Sequence, residues 1–415
     1  MKKTHTRTGI NRRQALKCLS ASGAALLLGR SRPAFGQSQA AQTTQAAQPV
    51  RIGALLPVSG DADAYAHQMR MGIETAVSEI NASGGVLGRP IEIAVRDSET
   101  APATLPDRCR ELVEDWGAIA IIGPWVSAGR KYASRFLAER GIPLVNATNH
   151  EGEFCHPNLF SVGPTTAHDG HALTRYLAES DTSDTSDTSE SRASYFLLGS
   201  YPSWQNSMFR QIRFPIYRSG GKIHGQALTT TGERNFKPII RWIQDTGAKT
   251  VLFCVRRHHG QEFIHQAGEL GLLDKVMIGW IGFNETLAEG LSTQERQRII
   301  TTSPFVSSDP EGGVPDFVAR VRRQHGAEVP VSYCALTHYN AVKALKAAWE
   351  RSGSISPEAG KAGLAGLTFD SPTGPVTIDA THQHATMNIL VAQGSEEGLQ
   401  VVKRLGQIAA EPGCG

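Results

Sequence analysis

Beyond residue 36 the chain holds only five cysteines: Cys109, Cys155, Cys254, Cys334 and Cys414. Their spacing fits no zinc pattern, and they are too few to build a disulfide scaffold. A P-loop is missing, and so is a Gly-x-Ser-x-Gly elbow. The glycine-rich run Gly84-Gly85-Val86-Leu87-Gly88 follows a predicted helix and precedes a strand. A dinucleotide loop needs the reverse order, so that phosphate meets a helix N-terminus. His258-His259 and His382-x-His384 have no third ligand at a useful spacing, so they read as solvated or internally satisfied histidines. No cofactor or metal is called for, and catalysis is left only to residues assembled from distant segments. No segment after residue 36 is long and apolar enough to cross a bilayer, so the chain is not expected to be membrane-embedded. Residues 1–36 lack acidic side chains altogether and hold eight Lys and Arg. Without them the formal charge changes from +3 to +3 − 8 = −5. A mildly acidic chain has no electrostatic case for binding nucleic acid.

The basic segment has the order of an export signal. Arg12-Arg13 precede a weak apolar run, Leu19 to Gly29, and Ala34-Phe35-Gly36 is a small-x-small cleavage pattern. Paired arginines point to the twin-arginine route, with an ordinary Sec signal as the alternative. Residues 1–36 are therefore set aside as a signal peptide and 37–49 as a polar, flexible leader, and the rest is expected in the periplasm. Five cysteines in an exported chain make one disulfide possible, with the pairing open.

From Val50 the pattern alternates between short apolar runs and amphipathic stretches. Val50–Leu56 reads as a buried strand, and Met69, Ile73, Val77 and Ile80 then share one helix face. Ser83-Gly84-Gly85 ends that helix. Strands at 90–96, 118–123 and 142–146 alternate with helices at 104–115 and 128–140. After Gly163 the rhythm restarts, with strands at 194–199, 222–229, 250–255 and 275–280 between helices. Ala335, Tyr339, Val342 and Trp349 line a long helix closed by Gly353. This is the pattern of an α/β fold with two doubly wound parallel-sheet lobes. The expected first lobe is 50–166 plus 305–370, and the second is 167–304 plus 371–415. They meet at a three-crossing hinge with a ligand cleft between them. A threefold Asp-Thr-Ser repeat, Asp181 to Ser189, marks 180–193 as a disordered insertion.

In open parallel sheets, ligands sit beyond the carboxyl ends of the strands. Trp125 and Ser127 follow one such end, and Ser127 reads as a helix N-cap with free backbone N–H groups beside it. Asn146 and Thr148 follow the next end. Ser127 alone is equally a plain cap and Thr148 a turn residue; together, on neighbouring strands, they favour a site. In the second lobe Tyr201 and Trp204 follow a strand and are placed to cover the ligand. Glu285 is either a receiver for an ammonium or amide N–H, or an exposed loop carboxylate.

Several segments carry a family resemblance. Ile52-Gly53-Ala54-Leu55-Leu56-Pro57-Val58-Ser59-Gly60, Ile80-Asn81-Ala82-Ser83-Gly84-Gly85-Val86-Leu87-Gly88-Arg89-Pro90 and Asn235-Phe236-Lys237-Pro238-Ile239-Ile240 resemble type I periplasmic binding proteins of the branched-chain amino-acid group. Ser127-x-x-Arg130-Lys131, His150-Glu151-Gly152-x-x-x-His156-Pro157-Asn158 and Ser371-Pro372-Thr373-Gly374-Pro375-Val376 followed by His384 are similar to that family's amide- and urea-binding branch. The resemblance implies a non-catalytic receptor that closes on an amide, a urea-like compound or an amino acid. Its partner would be the membrane permease of an ABC importer. It also implies that Trp125, Ser127 and Thr148 line the pocket from the first lobe and that Trp204 closes it from the second. Asn146 departs from the branch, which has an aromatic residue there. A regulatory amide sensor of the same fold and a small-amide hydrolase are the alternatives.

Overall fold

The computed structural model describes residues 48–59, 62–98, 102–182, 193–199, 202–230, 232–255 and 257–414. The signal peptide, the leader up to residue 47, Tyr201 and residues 183–192 of the insertion lie outside the described residues.

The first lobe begins with β1 (Val50–Leu56), α1 (Asp63–Ala82), β2 (Ile91–Asp97), α2 (Leu105–Arg110) and β3 (Ala120–Ile122). It continues through α3 (Ser127–Ala138), β4 (Leu144–Asn146) and β5 (Leu159–Ser161). The five strands form one parallel sheet in the order β2-β1-β3-β4-β5. Of β1 only Arg51 is exposed, because a strand inside a parallel sheet is covered on both faces. Met69, Ile73 and Ile80 of α1 are buried as the periodicity predicts. The turn after α1 uses Gly84 and Gly85 at positive φ, with the Gly85 N–H returning to the Ile80 carbonyl at 2.8 Å. One turn of π-helix, Glu111–Asp115, extends α2 to the predicted end.

The second lobe contains α4 (Ala172–Thr182), β6 (Ser194–Gly199), α5 (Pro202–Arg218), β7 (Lys222–Leu228), α6 (Lys237–Thr246) and β8 (Thr250–Cys254). Then come α7 (Arg257–Glu269), β9 (Met277–Trp280), α8 (Glu285–Ala288), α9 (Thr293–Arg296) and β10 (Ile299–Ser303). Strands β7, β6, β8, β9 and β10 are parallel neighbours. Their apolar residues, from Phe196 and Phe253 to Trp280 and Ile299, form a core separate from that of the first lobe.

The chain then returns through α10 (Val314–His325), α11 (Tyr333–Ser352) and α12 (Pro357–Leu364). Helix α11 ends at Gly353 with φ 64°. It packs on α1, where a Cβ on Gly72 would lie 2.0 Å from the Ala335 carbonyl oxygen, so only glycine permits that approach. Four antiparallel strands close the chain: β11 (Thr368–Ser371), β12 (Gly374–Ile378), β13 (Ala385–Ser395) and β14 (Gly398–Ile408). The sequence pattern predicts parallel strands alone, and these antiparallel ones are an addition to it. They turn the second sheet into nine strands, with β13 paired to β10 and β14 to β13.

The chain passes between the lobes at Ser161 to Thr166, at Ser303 to Val306 and within β13, and β14 runs back beside β13, with Leu399 in the second core and Ile408 packed on the first. Met387 and Ile389 pack in the first core, while Leu390 and Ala392 pack in the second, and the β13–β14 register shifts between Ile389 and Leu390. The third crossing therefore falls inside a continuous strand rather than near residue 371.

Candidate functional site

The C-terminal ends of β1, β3 and β4 face those of β6, β8 and β9, and a cavity of about 90 Å³ lies between them. Tyr65, Trp125, Val126, Ser127 and Asn149 line it from the first lobe. Trp204, Val255, Trp280, Ile281, Gly282 and Leu287 line it from the second. Trp125 is delivered by the turn after β3. There Gly123 has φ 107°, and a Cβ would meet the Leu55 carbonyl oxygen at 2.3 Å. The indole stacks on Tyr65 with ring centres 4.8 Å apart. Tyr65 comes from the first turn of α1, so two elements build this aromatic wall.

Behind the first-lobe wall lies Arg130, one turn into α3 and only 2 % exposed. Its guanidinium donates to Ser127 Oγ at 2.8 Å and pairs with Glu151 at 3.3 Å. Longer contacts, 3.4 to 3.5 Å, reach the Trp125 carbonyl, Asn146 Oδ1 and Thr148 Oγ1. Burial lowers its pKa, and the Glu151 carboxylate opposes that shift. Arg130 thus gathers polar residues from the ends of β3 and β4 around one buried cation. In the sequence Arg130 stands only within the Ser127-x-x-Arg130-Lys131 segment, where nothing marks it as the centre of such a network.

This network decides which hydroxyl is free. Ser127 was expected to cap α3 and does not: the cap position falls on Val126, and Ser127 is the first helical residue. Its oxygen accepts from Arg130, so its hydrogen is left to donate into the cavity. Thr148 differs. It is buried, does not line the cavity, and spends its hydrogen on Asn146 Oδ1 at 2.9 Å. Asn146 is fully buried as well, donating to Ser161 Oγ at 2.9 Å and to the Thr148 carbonyl at 3.0 Å. Both sit one layer behind the wall. Ser161 in turn meets His150 Nε2 at 2.6 Å, and the Gly152 N–H donates to His150 Nδ1. His150 is held neutral, its pKa pulled well down by burial first and then by Arg130.

On the second-lobe side Trp204 lines the cavity, and its buried Nε1–H has no partner. Trp280 is 1 % exposed and stands edge-on to Phe253 at 4.9 Å between ring centres. Glu285 is neither exposed nor on the wall. It opens α8, is 8 % exposed, and accepts the Ser307 N–H at 2.7 Å, beside the second crossing. Burial pushes its carboxyl up to about 7. A polar contact also crosses between the lobes: Asn149 Nδ2 donates to Asp169 Oδ2 at 2.6 Å. Asp169 is 2 % exposed, and burial raises its pKa to about 7 against the effect of that hydrogen bond. The structure therefore brings Trp125, Ser127 and Trp204 to one cavity. It adds Tyr65, Asn149, Trp280, Val255, Ile281 and Leu287, which sequence reasoning missed. Trp280 ends a predicted strand, and that position was its available signal.

The two-lobed arrangement matches known proteins. A profile of the periplasmic binding protein family covers residues 49–398. The chain belongs to that family. Within it, the fold is type I and the group is the branched-chain amino-acid-binding one. The chain is 24% identical over 310 residues to the Leu/Ile/Val-binding protein BraC3 of Rhizobium johnstonii, covering 74% of this chain and 80% of that one. It is 21% identical over 343 residues to the leucine-, isoleucine-, valine-, threonine- and alanine-binding protein of Pseudomonas aeruginosa, covering 82% and 88%. Among solved structures, an R. palustris solute-binding protein in complex with benzoate superposes with a TM-score of 0.77. It has 18% identity, with 88% of this chain and 99% of that chain covered. LivJ of Streptococcus pneumoniae in complex with isoleucine gives 0.74 at 19% identity, covering 87% and 99%. Among the described residues of this periplasmic binding protein, no helix is long and apolar enough to cross a membrane. No group of three His, Cys, Asp or Glu among them could hold a metal ion.

Proposed function

We propose that this protein is the exported solute receptor of an ABC importer, and that it closes its lobes on a small molecule with an acceptor head and an apolar, ring-sized body. The observation that carries this reading is the cavity wall. Tyr65 and Trp125 from one lobe face Trp204 and Trp280 from the other, and the polar side chains among them are few. The head, a carboxylate or an amide carbonyl, takes the Ser127 hydroxyl hydrogen and the free N–H groups at the start of α3. The body fills the aromatic slot, where apolar burial supplies most of the binding free energy. Trp125, Ser127 and Trp204 touch the ligand in this reading. Asn146 and Thr148 hold Arg130 in place behind it, and Glu285 braces the second crossing. Lobe closure then presents the loaded receptor to a permease.

A branched-chain amino acid is the second reading, favoured by the names of the Rhizobium and Pseudomonas relatives. Against it, no carboxylate side chain among the described residues lines the cavity to meet an α-ammonium. A thermal-shift panel separates these readings: benzoate-type acids, aromatic and aliphatic amides, urea, and branched-chain amino acids. A ligand that binds only the folded state raises the melting temperature, by about 2.7 kcal/mol of stabilisation at a hundredfold excess over Kd. Acids or amides with a ring should shift it. A shift with leucine or valine alone would favour the second reading. Turnover of a bound amide would point to the hydrolase instead.

A further inference from the structure

Asn149 stands on the cavity wall with one end satisfied and the other not. Its Nδ2 donates to Asp169 Oδ2 at 2.6 Å, while its Oδ1 is buried and has no partner among the described residues. The loop that carries Asn149 is fixed to the first lobe. The His150 N–H donates to the Pro164 carbonyl at 3.0 Å, the Gly413 N–H donates to the Gly152 carbonyl at 2.9 Å, and a disulfide joins Cys155 to Cys414. Asp169 is held by the second lobe. Thr302 Oγ1 of β10 donates to its carbonyl at 2.8 Å, and the neighbouring Gly170 lies so close to α5 that a Cβ would be 2.6 Å from Ile212. The backbones on both sides of the Asn149–Asp169 contact are thus held in place.

We propose that Asp169 is a positioning residue that turns Asn149 into a hydrogen-bond acceptor toward the ligand, so that the receptor selects a solute with an N–H donor beside its acceptor head and turns away a bare carboxylate. This rests on the cleft being the solute site, and it narrows the head, carboxylate or amide, to one with an N–H of its own. The two ends of the Asn149 amide are alike in shape and opposite in hydrogen-bonding sense. A carboxylate only accepts, so Nδ2 is the end that faces Asp169, and Oδ1 is left to the cavity. Burial raises the Asp169 carboxyl to about 7, so at about pH 8 it is largely ionised and has no hydrogen to offer. Asn149 follows directly on Thr148, and Thr148 and Ser127 meet the same Arg130 guanidinium at 3.4 and 2.8 Å. The Ser127 donor and the Asn149 acceptor therefore belong to the same first-lobe wall. A carboxamide uses both, its oxygen accepting from Ser127 and its N–H donating to Asn149. An α-amino acid does the same with its carboxylate and its ammonium. A carboxylate without a donor uses Ser127 alone and sets its lone pairs against Asn149 Oδ1. A buried acceptor left in that state keeps its full desolvation penalty.

Two sets of probes of matched shape test this by calorimetric titration at about pH 8. Benzamide, acetophenone and benzoate share a ring and differ in the atom beside the carbonyl: an N–H donor, a methyl group or an anionic oxygen. Leucine and isocaproate differ by the ammonium. The expected result in the parent is benzamide tighter than acetophenone and benzoate by about tenfold or more, or leucine tighter than isocaproate in the same sense if the solute is an amino acid. Asn149→Ala and Asp169→Asn should bring these ratios towards one, the first by removing the acceptor and the second by accepting either end of the Asn149 amide. A purely structural role for Asp169 would weaken every probe alike and leave the ratios as they are, which would overturn the assignment. Acetophenone or benzoate bound by the parent as tightly as benzamide would overturn it as well, whether or not the variants fold, and would leave the aromatic slot intact. Leucine bound in preference to isocaproate, with no binding of the ring probes, would support the Asn149 role and contradict the ring-sized body. Binding of none of the five would overturn both.

Discussion

Arg130 concentrates the first-lobe chemistry in one side chain, and its neighbours divide accordingly. Ser127 offers a hydrogen to the cavity, whereas Thr148 has already spent its own on Asn146. Ser127→Ala should therefore leave a ligand acceptor unpaired, at about 1–2 kcal/mol or roughly tenfold in affinity. Thr148→Val should act on stability more than on binding. Calorimetric titration and urea unfolding of the two variants separate these effects, and equal losses of affinity would contradict the assignment. Arg130→Met removes the cation that Glu151, Asn146 and Thr148 share in a buried setting. We expect a loss of about 3 kcal/mol in unfolding free energy, because a carboxylate is left without its partner. Sequence alone could place Trp125, Ser127 and Trp204, since each follows a strand end. It could not show that Asn146 and Thr148 lie one layer back. Both alternatives have the same residue types at the same chain positions, and only the packing of Arg130 behind the wall distinguishes them.

Among the elements, the π-helical turn Ala167–His171 and the β13–β14 hairpin matter most. The turn carries Asp169 into the interior beside Asn149. Its folded pKa, about 7, lies above the ordinary 3.8, so the folded state keeps a proton that the unfolded chain has lost. Stability from this group is full below about pH 4 and declines as pH rises towards 7. His150 and His168 act in the opposite sense: burial lowers their pKa, to about 4 for His168, so their contribution is lost as pH falls from 6.5. Asp169→Asn isolates the first effect. Its stability relative to the parent should rise between pH 4 and 7 and then level off, by an amount on the order of a few kcal/mol. A difference independent of pH, followed by urea unfolding across that range, would show that the carboxyl is ionised throughout. The alternating helices and parallel strands were readable because buried apolar runs and 3.6-residue periodicity mark them directly. The hairpin is not marked in this way. Ala385, Met387 and Ile389 do alternate, but Leu390, Val391 and Ala392 break the alternation where β13 passes from one core to the other.

For the molecule as a whole, the interlobe crossings join two separately cored lobes, and the proposed ligand site lies where the lobes meet. Tyr65 and Trp125 from one lobe and Trp204 and Trp280 from the other enclose the cavity between them. Trp204 should therefore matter to binding far more than to folding. Reduction of Cys155–Cys414 should lower stability by about 2–4 kcal/mol, since the bond closes a long loop in the unfolded chain. Differential scanning calorimetry with and without a dithiol measures this. The most direct test of the receptor function begins with the best ligand of the acid, amide and amino-acid panel, titrated by calorimetry into the parent, Ser127→Ala and Trp204→Ala. The predicted result is one tight site in the parent, weakened about tenfold or more in each variant, with melting temperatures of the free proteins nearly unchanged. Binding as tight in both folded variants as in the parent would place the site elsewhere and contradict the reading of this cleft.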